Sequence, residues 1–180
     1  MKLGIQRRNV WQAEFKLILY PSDSSYLYDD DKMVYFLKSK ELIENNIGGN
    51  RYSTGSQFVS LLTFMGCSPD IELEPQNNKP YCYVELETRD KPEFVSGSNL
   101  KKSRCTHCKK EITTPFICPH CQQAHKPERI NWRKTAFLAQ SWITIGNIYE
   151  LEAIPSDLFL DALEKETETK WKPAYIRFRD

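Results

Sequence analysis

Apolar and polar positions alternate in several short runs of the chain, and each run predicts a half-buried strand. The predicted strands are Phe15 to Tyr20, Ile71 to Glu74, Cys82 to Glu87, Trp142 to Ile148 and Ala174 to Phe178. In the second and third runs glutamates occupy alternate positions, which gives each strand one buried and one solvent-exposed face. This pattern is typical of an antiparallel sheet that carries its helices on one side.

Other segments repeat their apolar residues at helical spacing. The predicted helices are residues 29–43, opened by three aspartates; residues 54–65, capped by Thr54; and residues 155–166, opened by Pro-Ser-Asp. Acidic and capping residues suit these starts because a helix begins with unpaired N–H groups and a partial positive charge. Gly66 and Pro69 are predicted to stop the second helix. Residues 45–51 are predicted to form a loop around Gly48 and Gly49.

The order of these elements defines the expected fold class. It is β-α-α-β-β, then a cysteine-rich segment, then β-α-β, which predicts an α+β fold with a mixed or antiparallel sheet and helices on one face. Neither flank has a complete sheet of its own. The simplest organisation is therefore one domain formed by residues 1–97 and 136–180, with residues 98–135 inserted as a separate module. Two domains divided near residue 97 are the alternative.

Composition indicates a soluble globular protein: 40% of the 180 residues are hydrophobic and 12% are aromatic. The longest nearly apolar run, residues 58–67, is shorter than the roughly 20 residues of a membrane span. Arg7 and Arg8 are not followed by an apolar stretch, so no secretory signal is expected. These observations predict a cytoplasmic protein without a membrane partner, whose cysteines serve as thiols or metal ligands.

Four of the six cysteines form two short clips. Cys105 and Cys108 make the first, Cys118 and Cys121 make the second, and nine residues separate the clips. Two such corners offer four thiolates to one tetrahedral ion, for which Zn²⁺ is the expected occupant. Four protein ligands leave no coordination position for water, so a single structural zinc is predicted rather than a catalytic one.

The spacing of the clips resembles the zinc-ribbon family, in which two β-hairpins each contribute a CxxC knuckle. The resemblance covers residues 105–121 and implies that the four cysteines are the zinc ligands. The chain departs from the family at Lys109 and Gln122, where a glycine often follows the second cysteine. A non-glycine residue adopts the left-handed turn only at a cost. The run Phe64 to Pro75 also resembles a group of uncharacterised bacterial proteins, which implies a bacterial source and no particular chemistry.

Two other uses of these residues are open. His125, four residues past Cys121, has the spacing to replace one cysteine in a Cys₃His site. The Cys118–Cys121 pair also matches the dithiol of thioredoxin-like oxidoreductases, in which the first cysteine must sit at a helix N-terminus. Residues 122–127 make a poor helix, and a second CxxC clip lies close by.

Charge is concentrated around the clips. Residues 98–135 contain nine basic and two acidic residues, so this segment carries +7 while the remainder of the chain carries −6. A local positive field favours acidic partners. The candidate binding residues are Lys101, Lys102, Arg104, Lys109, Lys110, Trp132, Arg133 and Lys134. The alternatives are that the lysines and arginines offset the −2 charge of a Zn(Cys)₄ centre and that Trp132 packs the module onto the sheet.

The sequence thus favours a non-catalytic zinc-binding protein whose ribbon is an interaction platform, or adaptor, for an acidic protein. Nucleic-acid binding through the basic segment is the alternative, because cations interleaved with an aromatic residue suit single strands. An enzyme is the third hypothesis. It would use Cys67 or the carboxylates of Glu72, Glu74, Glu85 and Glu87. No small-molecule substrate is evident.

Overall fold

A six-stranded antiparallel sheet dominates the computed structural model, which describes residues 14–65, 71–75 and 80–178. The strands are Glu14–Pro21 (β1), Ile43–Gly48 (β2), Arg51–Thr54 (β3), Leu62–Phe64 (β4), Tyr83–Ser96 (β5), Ser103–Arg104 (β6), Glu111–Ile112 (β7), Ala136–Gly146 (β8), Ala153–Pro155 (β9) and Trp171–Phe178 (β10). The α-helices are Asp30–Ser39 (α1), Phe58–Leu61 (α2) and Asp157–Thr167 (α3), and Pro127–Arg129 forms a 3₁₀ turn.

The main sheet has the strand order β10-β1-β8-β5-β3-β2. Every neighbouring pair is antiparallel, with Leu17 of β1 opposite both Tyr175 of β10 and Ile145 of β8. Two smaller sheets pair β4 with β9 and β6 with β7. The predicted α+β class with an antiparallel sheet is confirmed.

One face of the sheet carries the principal core and the helices. Leu17, Leu19 and Ile143 project from the central strands and are fully buried. Phe36 of α1 and Phe159 of α3 pack into the same cluster. Burial of this apolar surface is the main favourable contribution to the stability of the sheet.

Helices α1 and α3 begin close to where the sequence predicts them, because both starts are capped by a side chain. Helix α1 ends at Ser39, short of the predicted residue 43, where β2 begins. The Asp29 carboxylate accepts a hydrogen bond from the Lys32 N–H at 3.0 Å, and the Ser156 hydroxyl accepts one from the Phe159 N–H at 3.3 Å. None of the helices among the described residues is long and apolar enough to cross a membrane.

The opposite face of the sheet is covered by curling of the sheet itself. Ile18, Trp142 and Ile176 are buried there, and Val95 of β5 packs against the same cluster. The segment after β5 then reaches the free edge of β10: the Ser98 N–H bonds the Arg177 carbonyl at 2.8 Å. At Gly97 a Cβ would collide with that carbonyl, which explains the glycine at this close approach.

Strand β5 is longer than the predicted strand of residues 82–87 and contains the irregularity that lets it bend. Between Thr88 and Glu93 the register with β8 shifts, so several residues of β5 lie opposite Gln140. Pro92 falls within this bulge, where its missing N–H costs no ladder hydrogen bond. The strand continues to Ser96, nine residues beyond the predicted end at Glu87.

Residues 43–54 form a β-hairpin, so the predicted loop of residues 45–51 is wrong except at its turn, Gly49 and Asn50. Strand β2 is almost wholly exposed after Ile43 and therefore lacks the apolar alternation that marks a strand. Its turn uses Gly48 and Gly49, both with positive φ (130° and 57°), and the Asn46 side-chain amide donates to the Gly49 carbonyl at 2.8 Å. These bonds stabilise a hairpin at the edge of the sheet.

The predicted helix of residues 54–65 is also largely wrong. Thr54 ends β3, and only Phe58–Leu61 is helical before β4 pairs with β9. Phe58 and Leu62 are nevertheless fully buried, because the short helix and the strand point both side chains into the principal core. Residues 71–74 are not a strand, and the predicted stop at Gly66 and Pro69 lies outside the described residues.

The cysteine-rich segment leaves and rejoins the sheet at neighbouring positions. Ser96, the last residue of β5, is the register partner of Ala136, the first residue of β8. Residues 97–135 are therefore a long connection between two paired strands. This topology is compatible with the predicted boundaries of the inserted module, residues 98–135, which we call the cysteine module. Its status as a separate folding unit stays a prediction.

Candidate metal centre

Two hairpin corners bring the cysteine pairs together. The β6–β7 hairpin, with Arg104 opposite Glu111, carries Cys105 and Cys108. An isolated antiparallel bridge between Ile117 and Ala124 encloses Cys118 and Cys121. Each corner thus joins its two cysteines through a tight turn.

The backbone of the two corners follows one pattern. In the first, the Cys105 N–H bonds the Lys110 carbonyl at 2.9 Å and the Lys109 N–H bonds the Cys105 carbonyl at 3.1 Å. In the second, Cys118 makes the equivalent bonds with Gln123 and Gln122, at 3.0 and 2.9 Å. Lys109 and Gln122 have φ values of 62° and 60°, so the left-handed turn after each second cysteine forms without glycine.

The four sulfurs converge on one point. The ligand atoms of Cys105, Cys108, Cys118 and Cys121 all lie within 4.8 Å of one another. Across the corners, the Cys105 and Cys121 sulfurs are 3.8 Å apart and those of Cys108 and Cys118 are 3.7 Å apart. All four are free of disulfides. The cluster is positioned to hold a metal ion.

Backbone N–H groups point at the first sulfur of each corner. The His107 and Cys108 N–H groups each lie 3.3 Å from the Cys105 sulfur, and the His120 N–H lies 3.4 Å from that of Cys118. Such donors stabilise a thiolate, the form that binds metal. Burial opposes ionisation of Cys105, but these N–H donors and the neighbouring thiols lower its pKa to about 6.

The pKa of Cys121, the last cysteine of the cluster, shifts in the opposite direction. The Gln123 backbone N–H lowers the pKa of Cys121, but burial and the other three thiols outweigh it and raise that pKa to about 11. Four thiols in this small volume cannot all ionise easily by themselves, because each negative charge disfavours the next. A bound cation offsets that repulsion, which makes the arrangement suited to a metal.

A small apolar cluster links the metal centre to the main sheet. It contains the buried Cys105, Cys118 and Ile130, with Phe94 of β5 packed against it. Trp132 is 5% exposed and meets the Phe94 ring edge-on, at 5.2 Å between centroids. Its indole N–H donates to the Pro127 carbonyl at 3.1 Å. The Trp132 ring therefore packs the module onto the sheet, and it presents no exposed face for stacking on a base.

The alternative uses of the cysteine module find no support in this geometry. His125 is not among the clustered ligand atoms, and its Nδ1 lies 3.2 Å from the Thr106 hydroxyl. Cys118 is followed by turns and a short bridge rather than by an α-helix. The helix N-terminus that would activate a redox dithiol is therefore missing at this position.

The predicted basic residues fall into two groups. Three of them are engaged within the protein: Lys101 pairs with Glu150 at 3.0 Å, Lys102 pairs with Glu111 at 3.2 Å, and Lys109 donates to the Thr106 carbonyl at 2.8 Å. The others are exposed and make no ion pair with any residue that the structure describes; they are Arg104, Lys110, Arg133 and Lys134. The engaged lysines lose part of their attraction for an external anion.

Two further cations, which sequence reasoning did not select, lie beside Arg133 and Lys134. Arg129 and Lys172 line the same cleft between the cysteine module and the sheet. Arg129 was visible in the sequence as one of the nine basic residues of the module. Lys172 belongs to β10, far along the chain, so only the antiparallel topology brings it to this place.

Two of the four carboxylates of the enzyme hypothesis are engaged with arginines. Glu85 pairs with Arg51 at 3.1 Å, and Glu87 pairs with Arg89 at 2.9 Å. Cys67 lies outside the described residues. Cys82 is fully buried, and burial raises the pKa of its thiol to about 12, so this residue behaves as a small apolar side chain.

Comparison with known proteins finds no matching family model, no matching curated protein and no matching solved structure. The class of the protein therefore rests on its own geometry. It is an α+β protein in which four cysteines, on two hairpin corners, are placed to hold a metal ion.

Proposed function

We propose that the metal is a single structural Zn²⁺ and that the cysteine module is a zinc ribbon. The observation that carries this proposal is the convergence of four thiols from two equivalent corners. Soft thiolate ligands in a closed cage select zinc over magnesium or calcium, which prefer oxygen. The N–H groups directed at Cys105 and Cys118 act as the outer shell of such a site.

Its role is binding rather than catalysis. Four cysteine ligands complete a tetrahedron, so the ion has no open position on which to activate water or a substrate. The metal instead makes a small module rigid, because the module has too little apolar surface to fold firmly alone. A rigid module can present side chains to a partner with little loss of conformational entropy on binding.

The surface of the module suits an acidic protein with an apolar contact. Phe116 and Ile117, just before the second corner, are 52% and 55% exposed. Exposed Arg104 and Lys110 in the same module add positive charge that no ion pair with a described residue balances. Apolar anchors combined with complementary charge are the usual composition of a protein-binding surface. The adaptor function proposed here depends on this combination.

Labelled peptides test the adaptor proposal. A peptide of alternating glutamate and leucine should bind the zinc-loaded protein at low salt, and a lysine–leucine peptide of equal length should not. Lys110→Glu together with Phe116→Ala should weaken acidic-peptide binding measured by fluorescence anisotropy. Lys32→Glu together with Lys38→Glu, two exposed lysines of α1, is the matched control. Equal binding of both peptides, or equal loss in both double variants, would contradict the proposal.

Nucleic-acid binding is the second candidate, and one observation favours it: Phe116 is an exposed aromatic ring in a basic module. Such a ring can stack on a base while cations contact phosphates. Mixed DNA and RNA oligonucleotides should then bind with a steep loss of affinity as salt rises. Charge reversal at Lys101, Lys102, Lys109 and Lys110 should abolish this binding. Absence of binding at low salt would contradict this second function.

A further inference from the structure

A cleft separates the end of the cysteine module from the sheet. Its volume is about 380 Å³, within the general range of small-molecule sites. One wall is the segment 127–134, and the other comes from the start of β8 and from the facing ends of β1 and β10. Tyr20 and Lys172 are register partners on those two strands, so their side chains share this wall.

The charge of the cleft is strongly positive. Arg129, Arg133, Lys134 and Lys172 line it, against the single carboxylate of Glu128. All four cations are exposed, and none forms an ion pair within the described part of the chain. Cations converging from two walls on one cleft repel one another, and an anion between them relieves that repulsion.

The backbone holds the cations of the module wall in place. Arg133 and Lys134 have φ values of 52° and 61°, a conformation that non-glycine residues keep only when their surroundings impose it. The Tyr175 N–H of β10 bonds the Lys134 carbonyl at 2.7 Å. The Thr135 hydroxyl bonds the Trp132 carbonyl at 2.7 Å, and the Arg133 N–H bonds the Asn131 side chain at 2.9 Å. The turn is thus fixed from both sides.

An unsatisfied hydroxyl lies in the opposite wall. Ser22 lines the cleft, and its Oγ is shielded from water without a hydrogen-bond partner among the described residues. A buried hydroxyl normally has a hydrogen-bond partner, so the Ser22 hydroxyl is available to a ligand group or a water molecule in the cleft. Next to it the Tyr20 ring stacks on Phe137 at 4.9 Å between centroids. Burial raises the pKa of Tyr20, so its phenol stays neutral and keeps a proton to donate.

We propose that this cleft binds a phosphate-bearing small molecule of about the size of a mononucleotide. Arginine and lysine side chains recognise phosphate through charge-assisted hydrogen bonds, and a serine hydroxyl adds a neutral donor. A multivalent anion matches the cleft, where four cations face one carboxylate. The apolar side chains of Ile130, Leu138 and Pro173 leave room for a non-charged body attached to the phosphate.

Isothermal titration at fixed ionic strength tests this site with three probes: AMP, inorganic phosphate and adenosine. AMP should bind most tightly, inorganic phosphate more weakly and adenosine not at all. If phosphate binds as tightly as AMP, the ligand is free phosphate and the proposed size is wrong. If none of the probes binds at about 10 mM, where even a weak specific site would respond, the proposal is overturned.

Paired variants locate the binding. Arg129→Ala with Lys172→Ala removes one cation from each wall and should lower AMP affinity about tenfold or more, because each loses a charge-assisted contact. The control is Arg104→Ala with Lys110→Ala, two exposed cations of the module outside the cleft. Ser22→Ala should reduce affinity less than the cation pair does. Equal losses in the cleft and control pairs would show non-specific attraction and overturn the site.

Folding of these variants is monitored by metal content and circular dichroism, which should match those of the unchanged protein. The proposal for the cleft and the proposal for the partner surface can also be tested independently of each other. Loss of AMP binding in the cleft pair should leave acidic-peptide binding intact, whereas Lys110→Glu with Phe116→Ala should do the reverse.

Discussion

The sheet and the cysteine module are held together by different means. Among the described residues, the principal core of the sheet contains 21 buried residues, including large side chains from three helices. The cluster in the module contains five, joined by Ala136 of β8, and two of the five are metal-ligand candidates, Cys105 and Cys118. Hydrophobic burial therefore stabilises the sheet, whereas on the proposed function the module depends on an ion that joins its corners.

Because of this difference, the stability of the sheet should not depend on the metal, whereas the stability of the cysteine module should. Loss of the metal should release the module and leave the sheet folded, because β5 and β8 pair along most of their length without it. Loss of a core side chain should weaken the whole protein. The variants below test this distinction, beginning with the largest expected effect.

The largest effect is expected for Cys118→Ser. It removes a fully buried ligand of the cluster, and structural zinc contributes an apparent binding free energy of about 10–16 kcal/mol in small zinc modules. Elemental analysis should find a single zinc ion per chain before the change and almost none after it. Cys82→Ala, in the sheet core, is the matched control and should retain zinc. Full zinc retention in Cys118→Ser would contradict the assigned ligand set.

Ile143→Ala should destabilise the whole protein by about 2–5 kcal/mol, because it leaves a cavity in the centre of the sheet. Ile143 is fully buried and lies opposite both Leu19 and Leu86. Urea unfolding followed by circular dichroism measures the change, and zinc content before unfolding should stay the same. Leu158→Ala, at a position 82% exposed, should shift stability by less than about 0.5 kcal/mol. Similar shifts in both variants would argue against this core.

Trp132→Phe tests the contact between the two regions. The change removes one of the two hydrogen bonds that the Pro127 carbonyl accepts, the other coming from the Ile130 N–H, and it replaces a buried indole with a smaller ring. Together these losses should cost about 1–2 kcal/mol and loosen the module on the sheet. A chelator should then extract zinc faster than from the unchanged protein. Trp142→Phe, in β8, should weaken the sheet without altering that rate. Equal extraction rates for Trp132→Phe and the unchanged protein would mean that Trp132 does not support the module.

The smallest effect is expected for Ser156→Ala, which removes the N-cap of α3. Loss of such a cap costs about 1 kcal/mol, and helix α3 belongs to the sheet region. The urea midpoint should fall slightly while the zinc extraction rate stays constant. A change in extraction rate would show that the two regions are more tightly coupled than their separate cores indicate.

Two of the helices and the cysteine cluster could be predicted from local sequence patterns. The caps at Asp29 and Ser156 mark two helices, and the Cx₂C clips mark the four cysteines that cluster, because both signals depend on residues close together in the chain. The hairpin of residues 43–54 escaped prediction because its first strand is exposed and polar. The apolar spacing of residues 58–65 is compatible with a helix, yet pairing with β9 favours a strand after Leu61.

The candidate cleft could not be predicted because its residues are distant in sequence. Lys172 meets the module only through the pairing of β10 with β1 and the hydrogen bond from Tyr175 to Lys134. The basic segment predicts positive charge in general. Ion pairs with Glu150 and Glu111 then decide which lysines remain available, and no local pattern reveals those partners.

Hydrogen exchange with and without a zinc chelator tests the central claim most directly. Peptides from residues 103–126 should lose protection when zinc is removed, while peptides from β1 and β8 should keep theirs. Zinc added back should restore the lost protection. Unchanged protection in the cysteine module after zinc removal, or a purified protein that holds no metal and a Cys118–Cys121 disulfide, would contradict the account.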